Sequence, residues 1–106
     1  MTEKDLVKLA TKSLGDNVAV WRSPHFKKMR WDIFNVFDLV VAYPPDGRIA
    51  FIQITTIQHI SDRRIKIQKF FDEIGFTIPN SYIYGWDYKR GEFRIVPVMP
   101  KEPVIL

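Results

Sequence analysis

The sequence contains no cysteine, which excludes a disulfide scaffold, a thiolate zinc site and a thiol nucleophile; a reducing, cytoplasmic setting is the expectation. Its two histidines, His25 and His59, stand far apart in the chain and make no zinc-ligand spacing. The five glycines (15, 47, 75, 85 and 91) fit neither a dinucleotide fingerprint nor a P-loop. No serine stands in a nucleophile elbow. The longest unbroken apolar run is five residues, Leu39 to Tyr43, short of a membrane span or a signal-peptide core, so no membrane partner is expected. Internal repeats, low-complexity stretches and linkers are missing too, and 106 residues with 46% hydrophobic side chains read as one globular domain, 1–106. What chemistry remains rests on carboxylates, amides, amines and a hard metal ion.

Positive charge is what the sequence has in excess. Sixteen Lys and Arg against twelve Asp and Glu give +4, and the cations are grouped. Between Trp21 and Trp31 the chain carries Arg22, His25, Lys27, Lys28 and Arg30 and no acid, with Phe26 among them. Arg63, Arg64, Lys66 and Lys69 form a second group. A solvated face accounts for either group alone. Two groups, one mixed with aromatics, suit a phosphate-backbone partner.

Residues 2–14 read as a helix capped by Thr2, with Asp5 at the capping-box position and Gly15 as its left-handed stop. Leu6, Val7, Ala10 and Leu14 share one face of it. Residues 17–22 read as a strand and 23–31, opened by Ser23-Pro24, as a loop. Two β-rich runs follow, 34–43 and 48–56, joined by Pro44-Pro45-Asp46-Gly47, a hairpin signal. Both faces of this hairpin are apolar, which calls for cover on both sides. Residues 61–74 supply a helix, with Ser61 as its cap, Ile67, Phe70, Phe71 and Ile74 on its core face, and Gly75 at its end. Residues 81–86 and 92–98 read as strands around a turn at 87–91, and Pro97, Pro100 and Pro103 predict an extended edge tail. The order αβββαββ predicts an α/β sandwich with a mixed central sheet flanked by helices.

Two residues break the hairpin's apolar pattern. Asp38 interrupts a strand that should be central, where an unpaired carboxylate costs several kcal/mol. In the simplest register it stands opposite Gln53, itself surrounded by Ile49, Phe51, Ile52 and Ile54, with Thr55 one step along the same face. The three make either a functional site or a hydrogen-bond cluster in which Gln53 and Thr55 satisfy Asp38. On the second helix Arg63 lies on the core face and Lys66 flanks it; on the first, Glu3 falls in the apolar sector, where the helix macrodipole alone would also favour it.

This pattern resembles the PD-(D/E)XK nuclease superfamily, which includes archaeal Holliday junction resolvases and restriction endonucleases. There an aspartate opens the second strand and (D/E/Q)-x-K follows on the third. Here Phe37-Asp38-Leu39-Val40-Val41 precedes the turn and Phe51-Ile52-Gln53-Ile54-Thr55-Thr56 follows it. Asp38 matches the metal-binding aspartate, Gln53 the glutamine some members carry, and Glu3 the first-helix glutamate of resolvase-like members. Arg22-Ser23 resembles the Arg and Ser near the first strand of junction resolvases. Thr55 stands where the lysine should be; some members move that lysine to the following helix, which nominates Lys66 and, second, Arg63.

The resemblance implies a restriction endonuclease-like fold and a metal-dependent endonuclease acting on DNA, including branched, Holliday junction-like DNA. Asp38, Gln53 and Glu3 would hold Mg²⁺ or Mn²⁺, Lys66 would act in the catalytic set with Thr55, and Arg22, Ser23, His25, Lys27, Lys28, Arg30 and Arg63 would bind nucleic acid. RNA stays open as the polymer. A homodimer is expected by the same analogy, with the apolar tail from Val96 to Leu106 as a contact element. Two alternatives stand beside this reading: a decayed nuclease fold that binds without cutting, and an assembly protein with no nucleic-acid role.

Overall fold

Two helices sandwich a five-stranded mixed sheet in the computed structural model, which describes residues 2–22, 34 and 36–99 and the backbone of 25–26 and 29–30. Helix α1 (Glu3–Ser13) begins with a complete capping box. The Thr2 hydroxyl accepts from the Asp5 amide at 3.2 Å, and the Asp5 carboxylate accepts from the Thr2 amide at 3.0 Å. These bonds hold the Asp5 carboxyl below its ordinary value, the one to the Thr2 backbone most strongly. The strands are β1 (Ala19–Arg22), β2 (His25–Phe26), β3 (Met29–Arg30), β4 (Leu39–Tyr43), β5 (Arg48–Thr56), β6 (Ser81–Asp87) and β7 (Glu92–Pro97), with α2 (Ile60–Ile74) between β5 and β6.

The main sheet runs β1-β4-β5-β6-β7, antiparallel except for β5 and β6, which are parallel and joined through α2. Alternation along β5 explains why both faces need cover. Ile52 and Ile54 pack with Leu39, Val41 and the α1 residues Leu6, Val7 and Ala10. Phe51 looks the other way, into a second core of Phe37, Ile83 and the α2 residues Ile60, Ile67 and Phe71. Each fully buried aliphatic side chain contributes about 1.5–3 kcal/mol, so the hairpin is held from both sides. The expected turn is present: the Gly47 amide donates to the Tyr43 carbonyl at 2.8 Å, with Gly47 at φ +74°. No helix among the described residues is long and apolar enough to cross a membrane.

Several sequence-based expectations are corrected. The run 34–43 becomes a strand only at Leu39, because Asp38 bends the chain and Val36 and Phe37 enter the α2-side core instead. Ser61 does not cap α2. The chain passes from β5 through a 3₁₀ turn, Ile57–His59, directly into the helix, so the N-cap is His59, without a side-chain capping bond, and Ser61 lies inside. Within the supposed loop 23–31, β2 and β3 pair antiparallel as a separate two-stranded ladder, too short to leave an alternation in the sequence. Gly75 ends α2 at φ +83°, as expected. Pro97 closes β7 at the sheet edge; Pro100, Pro103 and the rest of the tail to Leu106 lie outside the described residues.

Candidate functional site

Strand β5 has nine residues and its neighbour β4 only five, so the β4 side of β5 runs out of backbone partners at its carboxyl end. Asp38 sits at that point. Its amide donates to the Ile52 carbonyl at 2.8 Å, while the Cα partner of Ile52 is Leu39. Two residues thus face one, the local count of a β-bulge, which re-aims the side chains on either side. Phe37 turns into the α2-side core, and the Asp38 carboxylate swings in line with the ladder rather than standing directly opposite Gln53. There its Oδ2 accepts from the Ile54 amide at 2.7 Å and from Gln53 Nε2 at 3.1 Å. Gln53 Nε2 also reaches the Ile54 carbonyl at 3.3 Å. Side chains therefore satisfy both backbone groups of Ile54 where β4 no longer can.

All three anomalous residues are buried: Asp38 is 1% exposed, Gln53 3% and Thr55 6%. Gln53 Oε1 is enclosed without a hydrogen-bond partner among the described residues. Next along β5, where Ile54, Thr55 and Thr56 form part of the wall, a cleft of about 310 Å³ opens at the carboxyl ends of the parallel strands. Glu3 from the start of α1, Thr55 and Thr56 from β5, His59, Arg63 from α2 and Tyr88 after β6 all line it. Arg63 Nε and Thr56 Oγ1 are enclosed there with no hydrogen-bond partner among the described residues. His59 Nδ1 lies 3.6 Å from the Asp62 carboxylate at the outer rim.

The structure divides the expected site residues into groups. Asp38 and Gln53 touch each other but do not line the cleft, whereas Thr55, Glu3 and Arg63 do. Lys66 is exposed on the flank of α2, and the basic side chain from α2 that lines the cleft is Arg63. Arg22 ends β1 as the Cα partner of Leu39, which sets it at the same end of the sheet as Asp38, with its side chain exposed. Ser23, Lys27 and Lys28 lie outside the described residues, and for His25 and Arg30 only the backbone is described. Sequence reasoning passed over Thr56, His59 and Tyr88. No spacing rule marks them, because the 3₁₀ turn and the β6 end bring them together only in three dimensions.

A divalent ion needs hard oxygen donors. The described residues hold no group of three or more His, Asp or Glu able to share one ion. The donors at the strand junction are one carboxylate and one amide, with Glu3 exposed at the cleft. The enclosed, unpartnered Gln53 Oε1 is the feature that fits a cation; the turn of Gln53 Nε2 toward Asp38 is the feature that fits a purely structural clasp. No family model, curated protein or solved structure matches the chain.

Proposed function

We propose that this chain is a metal-dependent endonuclease of restriction endonuclease-like topology acting on DNA phosphodiester bonds. One observation carries the reading: a buried aspartate and glutamine in contact at the point where the β4–β5 hairpin parts, beside a cleft at the carboxyl end of a parallel strand pair. Asp38 and Gln53 Oε1 would hold Mg²⁺ or Mn²⁺, which when bound lowers the pKa of a coordinated water and offsets charge on the phosphate. Arg63 takes the part of the missing lysine. Its guanidinium lines the cleft beside Thr55, where it can pair with a phosphate oxygen. Glu3 closes the far wall. A homodimer would present two such clefts to a symmetric substrate.

A second reading, binding without cleavage, has its own support. Gln53 turns its NH₂ group rather than its oxygen to Asp38, and Thr55 brings no cation. One experiment separates the two. Branched, nicked and single-stranded DNA are incubated with Mg²⁺ or Mn²⁺ and with wild type, Asp38→Asn or Arg63→Gln. Asn keeps an acceptor for the Ile54 amide, so the fold survives the loss of charge. Cleavage by wild type that both variants lose supports the endonuclease. Binding with a steep salt dependence and no cleavage supports the second reading. Cleavage untouched by Asp38→Asn overturns the proposed site.

A further inference from the structure

Helix α1 covers only half of its side of the sheet. It packs on β4, β5 and the buried Tyr84 of β6; beyond it, the partly buried Tyr82 and Trp86 of β6 and Phe93 of β7, with the exposed Ile95, share the same face. Ile95 is 54% exposed, and nothing among the described residues covers it. Two clefts open here and share Tyr84 and Ile95. One, of about 500 Å³, lies between the end of α1 and β7; the other, of about 260 Å³, lies beside Tyr43. The rings are ordered against one another, with Trp86 edge-on to Phe93 at 4.9 Å and Phe93 tilted on Tyr84 at 5.8 Å. Burial, then Tyr43, push the Tyr84 phenol up to about 12, so Tyr84 carries no phenolate charge near neutral pH.

We propose that this half of the sheet is a stacking surface for single-stranded DNA. Unpaired bases stack on aromatic side chains whatever their sequence, and the backbone phosphates are held by flanking cations. Both parts are present. Lys12 lines the larger cleft and Arg48 the smaller, Arg48 lying 5.8 Å from the Tyr43 ring centre. The one acid in the two linings, Glu92, lies 3.8 Å from Arg90. Trp86 Nε1 is enclosed without a hydrogen-bond partner among the described residues. Charge complementarity favours a polyanion as occupant, since the cations in the two linings outnumber the one acid. The inference takes DNA as the polymer from the proposed function but uses no residue of the Asp38 cleft.

The test measures anisotropy of a fluorescein-labelled oligothymidylate over a salt series, with circular dichroism to confirm that each variant is folded. Lys12→Glu with Arg48→Glu, and separately Ile95→Glu, are each expected to weaken binding about tenfold. The paired cation variant should also flatten the salt slope by about 0.7 for each phosphate it no longer neutralises. Ile65→Glu, a like change on the exposed side of α2, should bind as wild type, which ties the loss to this surface. Ile95→Glu should leave the binding of a duplex of equal length unchanged, since its bases are already stacked. The proposal is overturned if the Lys12/Arg48 variant and Ile95→Glu bind the oligothymidylate as wild type does. An equal loss of duplex binding in Ile95→Glu, or an oligouridylate bound as tightly or more tightly, also overturns it, as does a dimer in sedimentation velocity that Ile95→Glu dissolves.

Discussion

Among the described residues two aspartates are buried, one at each of two strand ends, and they have different histories in the sequence. Asp87 closes β6. Its Oδ1 accepts from the Lys89 and Arg90 amides at 3.0 and 3.2 Å, so every bond it makes is to a neighbour in the chain. Asp38 opens β4 and is bonded to Gln53 and Ile54, across the hairpin. The first is a turn device, the kind of carboxylate that ends strands everywhere. The second stands in for a missing length of strand and does so beside a cleft. A buried carboxylate with local partners therefore argues for a turn, and one with distant partners argues for a site.

That comparison breaks first on stability. Asp38→Ala leaves the Ile54 amide and Gln53 Nε2 buried without their acceptor, and unfolding in urea should show a loss of about 3 kcal/mol. Asp87→Ala releases two amides at a turn close to water and should cost about 1 kcal/mol. Equal losses would erase the distinction. Gly85 sharpens it from the other side. A Cβ there would stand 2.5 Å from Ile60 Cδ1, 2.7 Å from its Cγ1 and 3.3 Å from the Ile57 Cα, so glycine at this position lets the start of α2 lie close against β6. Gly85→Ala should cost about 1–3 kcal/mol by the same measurement and displace the start of α2, and with it Arg63 in the cleft.

Smaller effects follow pH. Tyr84 keeps its proton in the fold above the ordinary tyrosine value of 10.0 and up to about 12, whereas the unfolded chain releases it near 10.0. The folded state then binds more protons, so stability falls as pH rises through that interval. An absorbance titration of the phenols should show a late component that Tyr84→Phe removes. Asp5 shows the opposite sign. Its carboxyl is held low, so the α1 cap contributes above the ordinary carboxylate range and is lost as pH falls through the folded value. Asp5→Asn should flatten the acid limb of the helical circular dichroism signal by a small amount.

Much of this could be read from the chain. The capping box at Thr2 and Asp5, the turn at 44–47, the αL stop at Gly75 and the two-sided hairpin are local or periodic signals, and the structure contains all four. The contact between Asp38 and Gln53 was legible because each breaks an apolar run. The bulge that makes it was not: it depends on Phe37 finding Phe51, with ring centres 5.4 Å apart across the hairpin. Lys66 and Arg63 are separated by less than one helical turn, and which of them lines the cleft depends on how α2 is rolled by Ile60 against Gly85. The open aromatic face carried a visible sign, rings at every second position in Tyr82, Tyr84 and Trp86. That alternation signals a strand face, but whether a helix covers it is a matter of topology.

The central claim is that the long-range clasp at Asp38 marks a phosphodiester site. The most direct measurement is Mn²⁺-dependent cleavage of branched DNA by wild type and by Asp38→Asn, both confirmed folded by urea denaturation. The account predicts cleavage by wild type and none by Asp38→Asn, with DNA binding retained in both. Cleavage by the variant at the wild-type rate, or none by either protein with any substrate, would contradict it.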